Sequence, residues 1–173
     1  MIYSKVKENL DSWIKKFLVV PNDKLNGWSP CPYAQSAINK SSYKIFIGGD
    51  IEFDIKTMGK YSLGADEVVI LVYEKFDYPD PDYFFNLVKI LNELILTKND
   101  LIGLGDHPES LEIVNGVCFN QGEYVLILIQ SLSDLNKKTK KIWKSKFYKN
   151  WPREYLNEIF LHREDPRNKI AQK

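Results

Sequence analysis

A cysteine between two prolines is the feature of this sequence most able to do chemistry. Cys31 lies in the segment 28–33 (WSPCPY), and the prolines restrict the backbone on both sides of the thiol. A nucleophilic cysteine reacts as its thiolate, so it needs a helix N-terminus or a cation nearby to lower its pKa. A short helix is predicted at 33–38, directly after Cys31. The alternative is a small apolar side chain buried in a proline-braced loop.

The second candidate is His107, which follows a predicted strand in a loop with two glycines. Catalytic groups concentrate in such loops, and an imidazole can act as general base for a thiol. We hypothesise a thiol-dependent site in which Cys31 is nucleophile or redox thiol and His107 its base. Asp106 would orient the imidazole or contact the substrate. The aromatic residues expected to wall this small-molecule pocket are Trp28 and Tyr33. The alternative for His107 is a structural role in a turn.

The third candidate is a basic aromatic segment, residues 137–153 (KKTKKIWKSKFYKNWPR), with seven lysines and one arginine. Lysines bind phosphate, and aromatic side chains can stack on bases. The segment therefore predicts a non-catalytic accessory protein that binds a protein or a nucleic acid, as the alternative to an enzyme. The residues expected to carry that contact are Lys140, Lys141, Trp143 and Lys144. Helical spacing of the aromatics equally predicts core anchors beneath solvated lysines.

The remaining motifs leave any cofactor unknown and give no metal site beyond a weak case for a divalent ion at His107 with Asp106 and Glu109. Gly103 and Gly105 do not form a dinucleotide-binding fingerprint, because its third glycine is missing. No Walker loop is present. The two cysteines and two histidines do not share the spacing of metal ligands. The acidic residues Asp50, Glu52 and Asp54 alternate, so we expect them on one face of an extended segment, which is more simply a solvated face than a cation site.

Composition favours one intracellular domain. The chain has 173 residues and a net charge of +1, and we expect a single domain at 1–163 followed by a polar tail at 164–173. Residues 137–173 carry a net charge of +8, from 12 basic and 4 acidic side chains. The N-terminus lacks the apolar core of a signal peptide, and no apolar run is long enough to span a bilayer. We therefore expect a cytoplasmic protein with reduced thiols and no membrane partner. A homo-oligomer formed through an exposed sheet edge stays open.

Hydrophobic patterning predicts an α+β fold. The order of elements indicates a mostly antiparallel sheet with helices on one face, which matches a circularly permuted ferredoxin-like sandwich. The predicted helices are 4–17, 33–38, a helix capped by Asp80, 133–149 and one opened by Pro152. The predicted strands are 43–48, 67–73, 100–104 and 123–132, with further extended structure at 51–55 and 114–119.

With these motifs placed, the chain resembles a family of bacterial proteins with no established activity. Members carry a helix tryptophan, a Leu-Cys-Pro-Phe-Ala-Lys motif and a Phe-His-Pro motif. Here Trp13 matches the tryptophan, residues 30–34 (PCPYA) the cysteine motif and residues 106–108 (DHP) the histidine motif. Leucine, lysine and phenylalanine of the family are replaced by Pro30, Gln35 and Asp106. The resemblance spans roughly 5–132, and it implies that Cys31 and His107 belong to one site.

Overall fold

Two strands with apolar side chains on both faces form the centre of the sheet. In the computed structural model, which describes residues 2–169, β2 (Val68–Tyr73) runs antiparallel to β6 (Val125–Ser131). Successive side chains of a strand point to opposite faces, and nearly every residue of the two strands is buried. Both faces of this sheet therefore need a covering layer.

The sheet has the strand order β1-β2-β6-β3. β1 (Tyr43–Ile47) is parallel to β2, while β3 (Leu101–Asp106) is antiparallel to β6. A separate hairpin pairs β4 (Ile113–Val114) with β5 (Val117–Cys118). The helices are α1 (Tyr3–Trp13), α2 (Ala34–Asn39), α3 (Ile51–Met58), α4 (Pro81–Leu91), α5 (Leu132–Ile142) and α6 (Arg153–Ile159). The π-helical turns Ile14–Leu18 and Asn92–Leu96 extend α1 and α4.

Helices cover both faces of the sheet, not one as the sequence predicted. On the face that we call the α1 face, α1 and its π-helical turn pack against Ile70, Val72 and Leu126. On the opposite face, the α4 face, α3 and α4 pack against Leu71 and Ile127, among others. The α+β class is confirmed and two of the three strand pairs are antiparallel. A ferredoxin-like fold is not confirmed.

The extended structure predicted at 51–55 is wrong, because this segment is the first part of α3. Asp50 caps the helix by accepting a hydrogen bond of 2.8 Å from the Phe53 amide. Ile51 and Ile55 are buried at helical spacing. The three acidic residues consequently do not form a strand face, and Asp54 accepts a hydrogen bond from the buried Tyr73 hydroxyl.

The C-terminal third forms a cluster of its own around the β4–β5 hairpin. α5 ends at Ile142, seven residues before the predicted end at 149. The following turns place aromatic side chains in an apolar cluster, which we call the aromatic cluster: Leu25, Val114, Val117, Phe147, Tyr148, Trp151, Leu156 and Phe160. The part of the predicted tail that the structure describes, 164–169, includes a buried Pro166 and an ion pair between Arg167 and Asp165. Residues 170–173 lie outside the described residues.

A side-chain amide caps one residue, Gly103, at the β3 edge of the sheet. Asn92, at the start of the second π-helical turn, donates a hydrogen bond of 2.9 Å to the Gly103 carbonyl. It also accepts one of 2.8 Å from the Gly103 amide. Both partners are buried. The amide therefore takes the place that another strand would occupy at this edge.

We predict that Asn92→Ala lowers the free energy of unfolding by about 1–3 kcal/mol, because it leaves a buried N–H and a buried C=O of Gly103 unpaired. Urea denaturation measures the change. The matched control is Asn99→Ala, which removes one exposed hydrogen bond to the Ile95 carbonyl and should cost clearly less. Equal losses for the two variants would contradict a special role of the Asn92 amide.

Candidate functional site

Cys31 lies on the α1 face of the sheet, at the base of a narrow cleft. Its amide donates a hydrogen bond of 3.0 Å to the carbonyl of Leu18, where the first π-helical turn ends. The side chain packs against the apolar cluster of the α1 face. Tyr33 lines the same cleft, so these two members of the predicted site lie together.

The Cys31 thiol is not activated in the way the sequence suggested. Burial raises the pKa of the Cys31 thiol, although hydrogen bonds from the Tyr33 and Ala34 amides lower it in part. The predicted helix N-terminus is thus in place, since α2 begins at Ala34. Desolvation outweighs it, and the thiol is protonated at neutral pH.

His107 lies on the α4 face and is fully buried, with 0% of its surface exposed. Its Nδ1 accepts a hydrogen bond of 3.1 Å from the Glu109 amide. Its Nε2 is 2.8 Å from the Tyr78 carbonyl, which can only accept. This network places the ring hydrogen on Nε2 and leaves Nδ1 as the acceptor. The ring also packs against Phe84. Backbone groups therefore occupy both ring nitrogens. This matches the alternative prediction for His107, a structural role in a turn.

The structure does not bring Cys31 and His107 together, so their predicted juxtaposition is wrong. They lie on opposite faces of the sheet. The Cys31 cleft is lined by Leu128 and Gln130 of β6, whereas β3, which His107 follows, ends opposite Leu126. A closed strand pair and a packed core separate the thiol from the imidazole.

The other members of the predicted site are also apart. Asp106 accepts hydrogen bonds from the Asn120 side chain at 2.9 Å and from the Gln121 amide at 2.8 Å. It therefore secures a loop and does not orient the imidazole. Trp28 packs edge to face on Phe147 in the aromatic cluster and does not line the Cys31 cleft.

The rim of the Cys31 cleft carries an ion network that sequence reasoning missed. The Lys138 ammonium lies 2.5 Å from a carboxylate oxygen of Asp66 and 2.6 Å from one of Asp134. Lys40 reaches Asp66 from the other side at 2.5 Å. Hydrogen bonds from Lys138 and Lys40 hold the pKa of the Asp66 carboxyl well below its usual range. In the sequence, only the i,i+4 spacing of Asp134 and Lys138 could have indicated this network. Asp66 comes from a distant loop.

The basic aromatic segment resolves into buried rings and exposed lysines. Phe147, Tyr148 and Trp151 are buried in the aromatic cluster, as the core-anchor alternative predicted. Trp143 is half-buried and stacks on Tyr148. The three lysines predicted to bind a partner, Lys140, Lys141 and Lys144, are all exposed, and Lys140 pairs with Glu164 at 2.6 Å.

A second polar cluster, also missed, surrounds Asn120. Its side-chain nitrogen donates to Asp106 and to the carbonyl of Ser110, and its oxygen accepts from the Glu112 amide at 2.7 Å. The Glu112 carboxylate accepts a hydrogen bond of 2.7 Å from the Tyr155 hydroxyl of α6. Burial raises the pKa of Glu112 to about 7, even though the Tyr155 hydroxyl lowers it in part. Glu112 is therefore partly protonated at neutral pH.

We predict that Glu112 makes the protein less stable as the pH rises from about 4.5 to 7. The unfolded chain releases the Glu112 proton near pH 4.3, whereas the folded protein holds it until about pH 7, so folding becomes less favourable across this interval. Glu112→Gln should remove about 1–3 kcal/mol of that dependence, measured by urea denaturation at pH 5 and pH 8. Glu154→Gln, an exposed position on α6, is the control. Parallel pH profiles for wild type and Glu112→Gln would contradict the assignment.

In the described residues 2–169, no helix is long and apolar enough to cross a membrane, and no three metal-ligating side chains lie close enough to hold an ion. Both cysteines are free thiols. Comparison of the chain with protein-family models, curated proteins and solved structures finds no match. The resemblance described above therefore stays a prediction, and the geometry of this chain alone carries the functional argument.

Proposed function

We propose that the protein binds a small molecule in the Cys31 cleft, and that the ligand has a short apolar body and a cationic end. The observation that supports this most strongly is an apolar cleft with an acidic rim on the α1 face. The residues of its apolar wall are Ile14, Leu18, Ala34, Ala37, Ile38, Val68, Ile70 and Leu128. Such apolar linings with few polar groups are typical of small-molecule sites.

The size of the cleft favours a small ligand. The cleft has a volume of about 60 Å³. A cavity needs about 10–15 Å³ to hold one water molecule, so the cleft has room for a ligand of only a few heavy atoms. A chain of about four carbon atoms fits this space.

The charges at the rim favour a cation. The ionisable side chains around the cleft, besides the thiol and the tyrosines, are Asp66, Glu67, Asp134 and Lys138. Their formal sum is −2, and Lys40, which pairs with Asp66 from beside the cleft, reduces it to −1. Lys138 and Lys40 offset Asp66 and Asp134, so the remaining negative charge is that of Glu67. Glu67 is half-buried and accepts a hydrogen bond from the Gly64 amide. An ammonium group at the rim would meet attractive charge, whereas a carboxylate would be repelled.

Cys31 would then contact the ligand without attacking it. Its raised pKa keeps the thiol protonated, and His107 is held by backbone groups on the opposite face. Both observations favour a binding role over the thiol-dependent enzyme that the sequence suggested.

Titration with n-butylamine tests this proposal, with NMR chemical shifts as the readout and n-butanol and butyrate as comparison ligands. We expect saturable binding of the amine and at least several-fold weaker binding of the other two. Glu67→Gln should lower the affinity for the amine about 2- to 5-fold, in line with the strength of one partly exposed charge contact. Glu52→Gln, on the exposed side of α3, should leave binding unchanged.

A second readout locates the ligand. In a Cys118→Ser background, butylamine should slow alkylation of Cys31 by iodoacetamide, because the thiol lies inside the cleft. Equal affinities for butylamine and butyrate, or unchanged alkylation at saturating amine, would refute the proposal.

The lysines of α5 favour a second candidate function, the docking of an acidic protein surface. Lys137 and Lys141 lie four residues apart on one side of α5, Lys144 follows in the next turn, and all three are exposed. Within residues 2–169, none of these three lysines forms a salt bridge. Since the rings of this segment are mainly buried, charge attraction without base stacking is what this surface offers, which favours a protein over a nucleic acid.

We predict that the protein binds poly-L-glutamate in low salt and releases it as salt rises. Replacing Lys137, Lys141 and Lys144 by glutamine should weaken binding at least 5-fold. The control variant replaces Lys56, Lys60 and Lys98 by glutamine, so its net charge equals that of the first triple variant. Fluorescence anisotropy gives both affinities. Tighter binding of poly(dT) than of poly-L-glutamate would instead favour a nucleic-acid partner.

A further inference from the structure

The two edges of the sheet differ in how they end. At the middle of the β3 edge, the Asn92 side chain bonds the outward N–H and C=O of Gly103. β1 is the opposite edge. Two of its large apolar side chains are exposed, Phe46 at 49% and Ile47 at 38%. An open edge with apolar side chains is a template for a further strand.

The pairing with β2 shows which backbone groups of this edge point outward. The Val68 amide donates to the carbonyl of Ser42, and the Gly48 amide donates to that of Val72. In a parallel pair, alternate residues bond to the neighbouring strand, so residues 42, 44, 46 and 48 face β2. The N–H and C=O groups that point away from the sheet therefore belong to Tyr43, Ile45 and Ile47.

There is open space beside these groups. A shallow groove of about 420 Å³ lies along β1 and beside the first turns of α1. Its lining includes Tyr3 and Lys7 of α1 and four consecutive residues of the strand, 43–46. Lys7 is engaged with Asp11 by an ion pair of 2.5 Å, so the helix does not bond to the edge through this side chain.

We propose that β1 pairs antiparallel with β1 of a second copy of this chain, around a two-fold axis at Ile45. This joins two four-stranded sheets into one. The outward groups set the register: Ile45 faces Ile45 of the second copy, and Tyr43 faces Ile47 of the second copy on each side of the axis. All outward N–H and C=O groups are then bonded, in six hydrogen bonds by the antiparallel pattern.

The side chains fit the same register. Tyr43 lies opposite Ile47 of the second copy, an aromatic and β-branched pair of the kind that stabilises antiparallel sheets. Lys44 lies opposite Phe46 of the second copy, so its charge meets a ring instead of another lysine. Axes at Tyr43 or Ile47 leave outward groups of β1 unbonded. A second copy is thus a better occupant than an unrelated strand, because the edge complements itself.

Analytical ultracentrifugation from 1 to 500 µM tests the dimer. We expect the mass to change from one chain of 20.2 kDa to two chains as the concentration rises. Phe46→Lys places two lysines opposite each other on both sides of the axis and should weaken the dimer at least 10-fold. The double variant Lys44→Glu with Phe46→Lys pairs opposite charges in this register only, and should restore association.

Leu94→Lys is the matched control, because Leu94 is 58% exposed and lies in the π-helical turn beside β3, at the opposite edge of the sheet. Circular dichroism verifies that each variant is folded. A monomeric wild type at 500 µM would overturn the proposal. So would a dimer that Phe46→Lys and Leu94→Lys weaken equally, or a failure of the double variant to restore association. The small-molecule site on the α1 face does not depend on any of these results.

Discussion

The constraint on which the rest of this structure depends is the alternation of side chains along the two central strands. β2 and β6 are apolar on both faces, so neither face can be left to water. α1 and its π-helical turn cover one face, and α3 and α4 cover the other. The buried side chains of the sheet thereby belong to two apolar clusters, one on each face.

This division explains why the candidate sites are separate. The loop of Cys31 packs on the α1 face and forms a cleft whose rim is held by Asp66 and Lys138. The loop of His107 turns to the α4 face, where backbone groups occupy both ring nitrogens. Asn120 and Glu112 organise a third polar region beside the hairpin. Each region has its own electrostatics: lowered carboxyl pKa where lysines are near, raised carboxyl pKa where burial dominates.

Local patterns predicted the elements whose signals do not depend on neighbours. Asp80 and Pro81 begin α4 as their capping chemistry requires, and the continuous apolar run of β2 is a central strand. The α3 segment was mispredicted, because alternating acids over five residues resemble a strand while Ile51 and Ile55 also satisfy a helix. The single-face arrangement was wrong for a different reason, because α1 and α4, both predicted from the sequence, pack on opposite faces of the sheet.

The sequence by itself determined the class of the fold, the central strands and the proline-braced placement of Cys31, because caps, prolines and hydrophobic periods act within a few residues. Only the tertiary structure decided which loops meet. Whether Cys31 meets His107 depends on the face of the sheet against which each loop packs. That face follows from the order and direction of the strands that the loops connect. The Asp66–Lys138 pair and the open β1 edge likewise arise from contacts between distant segments, which no local pattern encodes.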